Sequence, residues 1–352
     1  MPQPLPDAEA NGKGTRQMTE RGLRKGLQAF IRASGHPGEI VGDVDAIPEG
    51  HAGLAHSFSV SMPGGERRDY VLKVGPAGVR RSGSTDVYRQ APLLRALKAQ
   101  GLPVPDIIWA SDSDDWLGAP FIVMERLPGK SLIVWEPDIR GDLSGYWLES
   151  ARMLAQLHRQ VDLDRLAGWE KPTGLAEEVE RWSRLIRHTM DEYDRQAATR
   201  LGAALLQDVP DTENDQVLVH GDFQPGNILY VDGKGVALID WDLAGIGPRG
   251  IDLGWLLVMG DRAAWANDWQ PACDLQPAAL IRAYEEAGGT APEDIDWYRA
   301  LACFRMGVIT GMNVKLHREG RRPDPIWDRF ASSAATLLRR GSDLLDNERI
   351  SA

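Results

Sequence analysis

Val217-Leu218-Val219-His220-Gly221-Asp222-Phe223-Gln224-Pro225-Gly226-Asn227-Ile228-Leu229-Tyr230-Val231 is the stretch of the chain densest in chemistry-bearing residues. An apolar run that reads as a strand delivers His220, Gly221 and Asp222. A loop then crosses Pro225 and Gly226, and a second apolar run begins at Asn227. A third run, Val236-Ala237-Leu238-Ile239, ends in Asp240-Trp241-Asp242. The turn between these runs predicts that they lie side by side, so that Asn227 and Asp240 converge. An Asp or Asn taken alone caps a turn more often than it binds a ligand. Strand, His-Gly-Asp, Pro-Gly-Asn, strand and Ile-Asp-Trp-Asp in one short unit point instead to a site.

The residue types suit one kind of chemistry. A carboxylate placed beside a hydroxyl can take or orient its proton. An amide carbonyl nearby can bind a hard cation without adding repulsive charge. Five positions separate Asp222 from Asn227, the interval found in the H-R-D-x-x-x-x-N loop of protein kinases, and Asp240 stands where those enzymes carry the metal-binding Asp of D-F-G.

Working outward, residues 1–17 read as a disordered tail. Leu23, Leu27, Phe30 and Ile31 share a helical face that Gly35 would stop. Phe58, Val60 and Met62 alternate with serines, Pro63-Gly64-Gly65 turn the chain, and Tyr70-Val71-Leu72-Lys73-Val74 runs back as the second strand of a hairpin. A helix through Val87, Leu93, Leu94 and Leu97 is ended by Gly101 and Pro103. Short strands at residues 107–110 and 121–124 lead to Pro128-Gly129, which reads as a hinge. The boundary is placed so that residues 18–126 form a small β-rich lobe and residues 127–352 a larger one. In the latter, Leu143, Trp147, Ala151, Leu154, Leu157 and Val161 make an apolar stripe. Helical patterns cover 175–206 and resume over 277–345, with tryptophans as core packing. His158, on the stripe, reads as a satisfied core residue.

Composition sets the bounds. A chain of 352 residues suits one large domain or two modest ones, and 43% hydrophobic with 26% charged residues is ordinary for a soluble enzyme. Forty basic against fifty-one acidic side chains, a formal charge of −11, argue against nucleic acid. Cys273 and Cys303 are too few for a disulfide framework or a zinc site. No apolar run nears the roughly 18 residues of a membrane span. A cytoplasmic protein without membrane insertion is expected; nothing in the sequence speaks to its oligomeric state.

The paired motifs, His-Gly-Asp-x-x-x-x-Asn followed by Ile-Asp-Trp-Asp, resemble those of the aminoglycoside phosphotransferase and choline kinase superfamily over nearly the whole chain after the tail. Gly101-Leu102-Pro103-Val104-Pro105, Pro120-Phe121-Ile122-Val123-Met124-Glu125 and the late Phe304-Arg305-Met306-Gly307 resemble its subgroup of kinase-like domains fused to acyl-CoA dehydrogenases. The resemblance implies an α+β, bilobal, protein-kinase-like fold. It also implies ATP, Mg²⁺, and transfer of the γ-phosphoryl group to a hydroxyl of a small molecule: an aminoglycoside, an amino alcohol or a hydroxyacyl-type acceptor. Asp222 would be catalytic, and Asn227 and Asp240 would hold the metal. Lys73 would pair with the α- and β-phosphates, under a loop containing Gly50 and Gly53 with the Ser57 hydroxyl. Adenine would meet Met124 and backbone groups from Glu125 to Leu127. His220, Asp242 and Asp252 would support the loop. Gln90 stands where relatives carry the Glu that pairs with the strand Lys, and a neutral Gln cannot neutralise it; Asp86 is the alternative. That departure favours a nucleotide-binding regulatory pseudokinase as the rival reading, which intact Asp222, Asn227 and Asp240 oppose. A protein kinase is disfavoured because no activation loop or A-P-E segment follows Asp240.

Overall fold

The computed structural model describes residues 8–11, 15–47, 55–76, 78, 81–132, 143–189, 191–212 and 215–351. Its internal contacts divide the chain into two compact units, Met1–Pro128 and Gly129–Ala352. The division falls at the Pro-Gly step, two residues past the boundary drawn from sequence.

In the first unit, β1 (Ala8–Asn11) pairs antiparallel with β2 (Thr15–Met18), so a strand pair lies where the sequence suggested a disordered tail. Helix α1 (Glu20–Ala33) starts where the Thr19 hydroxyl accepts the Gly22 N–H at 3.2 Å. Strands β3 (Ile40–Ala46), β4 (Ala55–Ser61) and β5 (Arg67–Val74) follow, then α2 (Gln90–Ala99), β6 (Ile107–Ser111) and β7 (Phe121–Glu125). They build one antiparallel sheet in the order β3-β4-β5-β7-β6. Side chains alternate between faces. Phe58, Leu72, Phe121 and Val123 bury one face against Leu23, Leu27 and Ile31 of α1. On the other face Ile122 packs with Val87 and with Ala91 of α2.

The second unit contains β8 (Lys130–Ser131), α3 (Ser144–Gln160), α4 (Leu175–Ser183) and α5 (Glu192–Gln207). The helical pattern over 175–206 resolves into the two helices α4 and α5. The Asp191 carboxylate caps the second by accepting the N–H groups of Tyr193 and Asp194 at 2.8 and 3.1 Å. Then come β9 (Val217–Val219), β10 (Ile228–Val231), β11 (Lys234–Leu238) and β12 (Gly245–Gly247). Two small sheets result, β11-β10-β8 and β12-β9. Helices α6 (Gly250–Gly260), α7 (Pro277–Glu286), α8 (Ile295–Arg318), α9 (Ile326–Phe330) and α10 (Ser333–Ser351) complete the unit. Every residue of α6 is buried. It lies so close to α8 that a Cβ on Gly254 would come within 2.6 Å of the Tyr298 carbonyl oxygen. Trp147, Trp241 and Trp297 are fully buried, as core packing predicts. No helix among the described residues is long and apolar enough to cross a membrane.

Candidate active site

The buried apolar strand β9 delivers the His220-Gly221-Asp222 turn. Gly221 has φ +84°, and a Cβ there would lie 2.3 Å from the Leu243 carbonyl oxygen. Only glycine fits this crossing. The fully buried Asp252 of α6 grips the turn from below, its two carboxylate oxygens accepting the N–H groups of His220 at 2.7 Å and Gly221 at 2.8 Å. His158 on α3 reaches Asp252 through Nε2 at 3.4 Å and the Tyr284 hydroxyl through Nδ1 at 2.9 Å. Complete burial pushes the Asp252 carboxyl up. The hydrogen bond and charge of His158, the charge of His220 and the backbone donor outweigh it, leaving the group below its ordinary value. The His220 ring donates from Nε2 to the Ile239 carbonyl at 2.9 Å, while its Nδ1 accepts the Asp222 N–H at 3.4 Å. One tautomer satisfies both contacts. His220 therefore ties the turn to the end of β11.

Asp222 is enclosed by donors. Its Oδ1 accepts from the Gln224 side-chain amide and from the indole N–H of Trp255, each at 2.9 Å. Its Oδ2 accepts from Asn227 Nδ2 at 3.0 Å. Burial first, and the charge of Asp240 second, nevertheless raise the Asp222 carboxyl above its ordinary value.

Asn227 closes the loop. Its Nδ2 donates to the Asp222 carbonyl at 2.8 Å as well as to the carboxylate, which leaves Oδ1 as the acceptor end of the side chain. Its own backbone carbonyl accepts the Ile239 N–H at 3.0 Å, and the next residue is Asp240. That carboxylate is exposed, on a left-handed backbone with φ +64°. A non-glycine residue held so costs on the order of 1–3 kcal/mol, and such residues cluster at functional sites. The described residues contain no group of three or more His, Cys, Asp and Glu fit to enclose a metal. One carboxylate and one amide carbonyl instead suit Mg²⁺, which takes few protein ligands and completes its shell with phosphates and water. Asp242 is half-buried.

The sequence reading passed over four residues here. Gln224 was quoted but given no role, and Arg305 was quoted only for the subgroup resemblance. Trp255 lies one helical turn beyond Asp252. Arg305, fully buried, donates from Nη2 to the Gly221 carbonyl at 2.8 Å. Its guanidinium carbon sits 4.8 Å from the Trp255 ring centroid and 5.0 Å from that of Trp182. Glu178 on α4 places Oε1 3.7 Å from Arg305 Nε and accepts the Trp182 indole N–H at 2.6 Å. Burial pushes the Arg305 guanidinium down and the Glu178 carboxylate pulls it back, with a net lowering. The signal available in the sequence was a charged residue amid an otherwise apolar stretch of α8, Leu301-Ala302-Cys303-Phe304-Arg305-Met306.

In the first unit, the sheet register groups the other expected residues. Lys73 stands opposite Ala55 on β4 and Ile122 on β7; one row along, Val71 stands opposite Ser57 and Met124. These six share the sheet face on which α2 packs. Gln90, almost fully buried, begins that helix next to Ala91. His56, opposite Leu72, belongs to the other face. The Glu125 side chain is engaged by Lys98 Nζ and by the Asp106 N–H, both at 2.9 Å. Its backbone N–H donates to the Asp106 carbonyl at 3.0 Å, and the Arg126 N–H donates to the Asp69 carbonyl at 3.2 Å. Leu127 is half-buried. Gly50 and Gly53 lie outside the described residues.

Comparison with known proteins adds three findings. The model of the phosphotransferase enzyme family (APH) matches residues 55–301. Human acyl-CoA dehydrogenase family member 11 is 30% identical over 193 residues, 52% of this chain but only 24% of that protein. The chain therefore spans about a quarter of the length of that relative. Among solved structures, one assigned as an aminoglycoside phosphotransferase from Ralstonia eutropha superposes with a TM-score of 0.71 at 20% identity, covering 92% of this chain and 98% of that one. A spectinomycin phosphotransferase in complex with ADP and spectinomycin gives 0.59 at 16% identity, covering 89% and 97%. At these identities the structures speak for the fold: kinase-like, with a β-sheet N-terminal region and a helical C-terminal region.

Proposed function

We propose, from the premise that the chain belongs to the phosphotransferase enzyme family (APH), that it moves the γ-phosphoryl group of ATP to a hydroxyl of a small molecule. The observation that carries the reading is the Asp222–Asn227–Asp240 arrangement. Asn227 donates to both the carbonyl and the carboxylate of Asp222, and the N–H just before Asp240 is bonded to the Asn227 carbonyl.

In this reading the Asp222 carboxylate takes the proton of the acceptor hydroxyl as the new O–P bond forms and the bond to the β-phosphate oxygen breaks, releasing ADP. The transition state is loose, so alignment and charge stabilisation matter more than covalent help. Asn227 Oδ1 and the Asp240 carboxylate would hold Mg²⁺, which when bound neutralises phosphate charge. Lys73 would pair with the α- and β-phosphates, and Ser57 would donate its hydroxyl to a phosphate oxygen. Met124 would pack on adenine. The Glu125 carbonyl and the Leu127 N–H are the backbone groups we assign to its hydrogen-bonding edge, because the N–H groups of residues 125 and 126 already have partners. The acceptor we propose is a hydroxyacyl-type alcohol, since the matched curated relatives are described as acyl-CoA dehydrogenase family members. Aminoglycosides and amino alcohols form the comparison set.

The second reading, a nucleotide-binding pseudokinase, rests on Gln90 in the place of the expected Glu. ADP release from Mg·ATP, measured with hydroxyacyl thioesters, aminoglycosides, amino alcohols and a protein acceptor, separates the two. We expect Asp222→Asn to lower kcat by roughly 10²–10⁴-fold, the range of general-base contributions, with ATP affinity retained. Wild-type turnover in that variant sinks the assignment of Asp222. ATP binding without turnover on any acceptor selects the pseudokinase.

A further inference from the structure

We propose that Trp255 and Arg305 are positioning residues for Asp222: the indole N–H fixes the direction of its carboxylate, and the guanidinium fixes the backbone that carries it. The inference rests on the reading of Asp222 given above but assigns residues that the motif does not contain.

Three observations carry it. The Trp255 indole N–H reaches Asp222 Oδ1 at 2.9 Å, the same oxygen that accepts from Gln224, while Oδ2 accepts from Asn227. Gln224 and Asn227 belong to the same loop as Asp222 and move with it. Trp255 belongs to the fully buried α6 and supplies the external reference. Second, Arg305 is buried to 1% exposure, yet its Nε and Nη1 have no hydrogen-bond partner among the described residues. A guanidinium held so deep is costly, and an apolar side chain would fill the space at lower cost. Its hydrogen bond from Nη2 goes to the carbonyl of Gly221, the residue before Asp222, at 2.8 Å. Third, the same guanidinium lies 4.8 Å from the Trp255 ring centroid, with Trp182 at 5.0 Å on its other contact. One cation thus braces both the indole and the turn. Glu178 stands 3.7 Å from Arg305 Nε, too long for a hydrogen bond, and supplies the compensating charge.

A carboxylate displaced by about 1 Å from its acceptor can cost on the order of 100-fold in rate. Trp255→Phe keeps the packing and removes the N–H. Arg305→Met removes the donor to Gly221, and Arg305→Lys keeps one. Rates are measured as ADP release from saturating Mg·ATP, with water or a 3-hydroxyacyl thioester as acceptor. The Trp255 indole resonance is followed separately in ¹⁵N-tryptophan-labelled protein. Trp255→Phe should lower kcat roughly 10- to 100-fold with the KM for ATP within about twofold of wild type. Arg305→Lys should retain more turnover than Arg305→Met. In an Asp222→Ala protein the Trp255 indole N–H resonance should move, because its acceptor is gone. Unchanged kcat in Trp255→Phe, or a parallel change in ATP KM and folded fraction, overturns the positioning role. So does an unmoved indole resonance, a readout that needs no turnover. If Arg305→Met fails to fold, Trp255→Phe decides the indole arm and Arg305→Lys the other: kcat lowered at an unchanged KM for ATP supports Arg305, while wild-type kcat, or a loss that tracks the folded fraction, removes it. Turnover that survives Asp222→Asn instead sinks the reading of Asp222 and leaves the hydrogen-bond geometry to the resonance alone.

Discussion

The turn that carries Asp222 and the strand that carries Lys73 hold their charged groups by different physical means. Asp222 sits on an irregular backbone whose position is fixed by buried side chains from elsewhere: Asp252 beneath its N–H groups, Arg305 on the Gly221 carbonyl and Trp255 on its carboxylate. The backbone of Lys73 is set by ladder register, between Ala55 and Ile122 on a regular sheet. Irregular backbone has no repeating hydrogen-bond pattern to define it, so each buried N–H and C=O needs its own partner. A strand inherits its partners from the sheet. The turn should therefore be intolerant of substitution at several distant positions, while the Lys73 strand should tolerate change in its neighbours, Gln90 included.

The sharpest way to break this contrast is Gly221→Ala. The variant combines a left-handed φ with a Cβ 2.3 Å from a backbone oxygen. We expect destabilisation of about 3 kcal/mol and near-complete loss of turnover. A variant melting and turning over like wild type would mean that the turn is not held where the packing places it.

Next in size is Asp252→Asn. The folded-state carboxyl lies below its ordinary value, so ionised Asp252 contributes stability that is fully present above the unfolded-state pKa of about 3.9. That contribution is lost as pH falls through the folded-state value. The Asn variant should lose about 2–3 kcal/mol at pH 7, as for hydrogen bonds to a buried charge, and should show a shallower fall in stability below about pH 4. Urea unfolding at pH 7, 4 and 3 measures both. A steeper acid limb in the variant would contradict the sign.

The smallest effects belong to the strand. Lys73→Met should weaken ATP binding, read by titration with Mg·ATP. Gln90→Glu should strengthen ATP binding by less than about 1 kcal/mol, since at this buried position the cost of desolvating the carboxylate offsets most of the gain of a charged pair. That gain should vanish in the Lys73→Met background. Additive effects in this double-mutant cycle would place the partner of Lys73 elsewhere, with Asp86 as the residue to test.

Much of the architecture was legible because its determinants are local. The alternation at Phe58 and Val60 marked β4, and the stripe from Trp147 to Leu157 marked α3. The interval from Asp222 to Asn227 marked a loop short enough to close on itself. Other features were not legible. Where α4 ends and α5 begins was not marked by the helical pattern, and the start of α5 is set by the Asp191 cap. Strand β12 is three residues long and is defined by its partner β9 rather than by its own composition.

The sequence by itself determined which residues meet, because Asp222, Asn227 and Asp240 lie within one short β unit whose turns leave little freedom in how they come together. Only the tertiary structure decided what holds that unit in place. Trp255 reaches Asp222 across 33 residues, Arg305 reaches Gly221 across 84, and His158 reaches Asp252 across 94. Contacts at such separations leave no periodic trace in the chain. They exist because α3, α6 and α8 bury their faces together, and inside that packing each polar group must find a partner or leave a desolvated charge uncompensated.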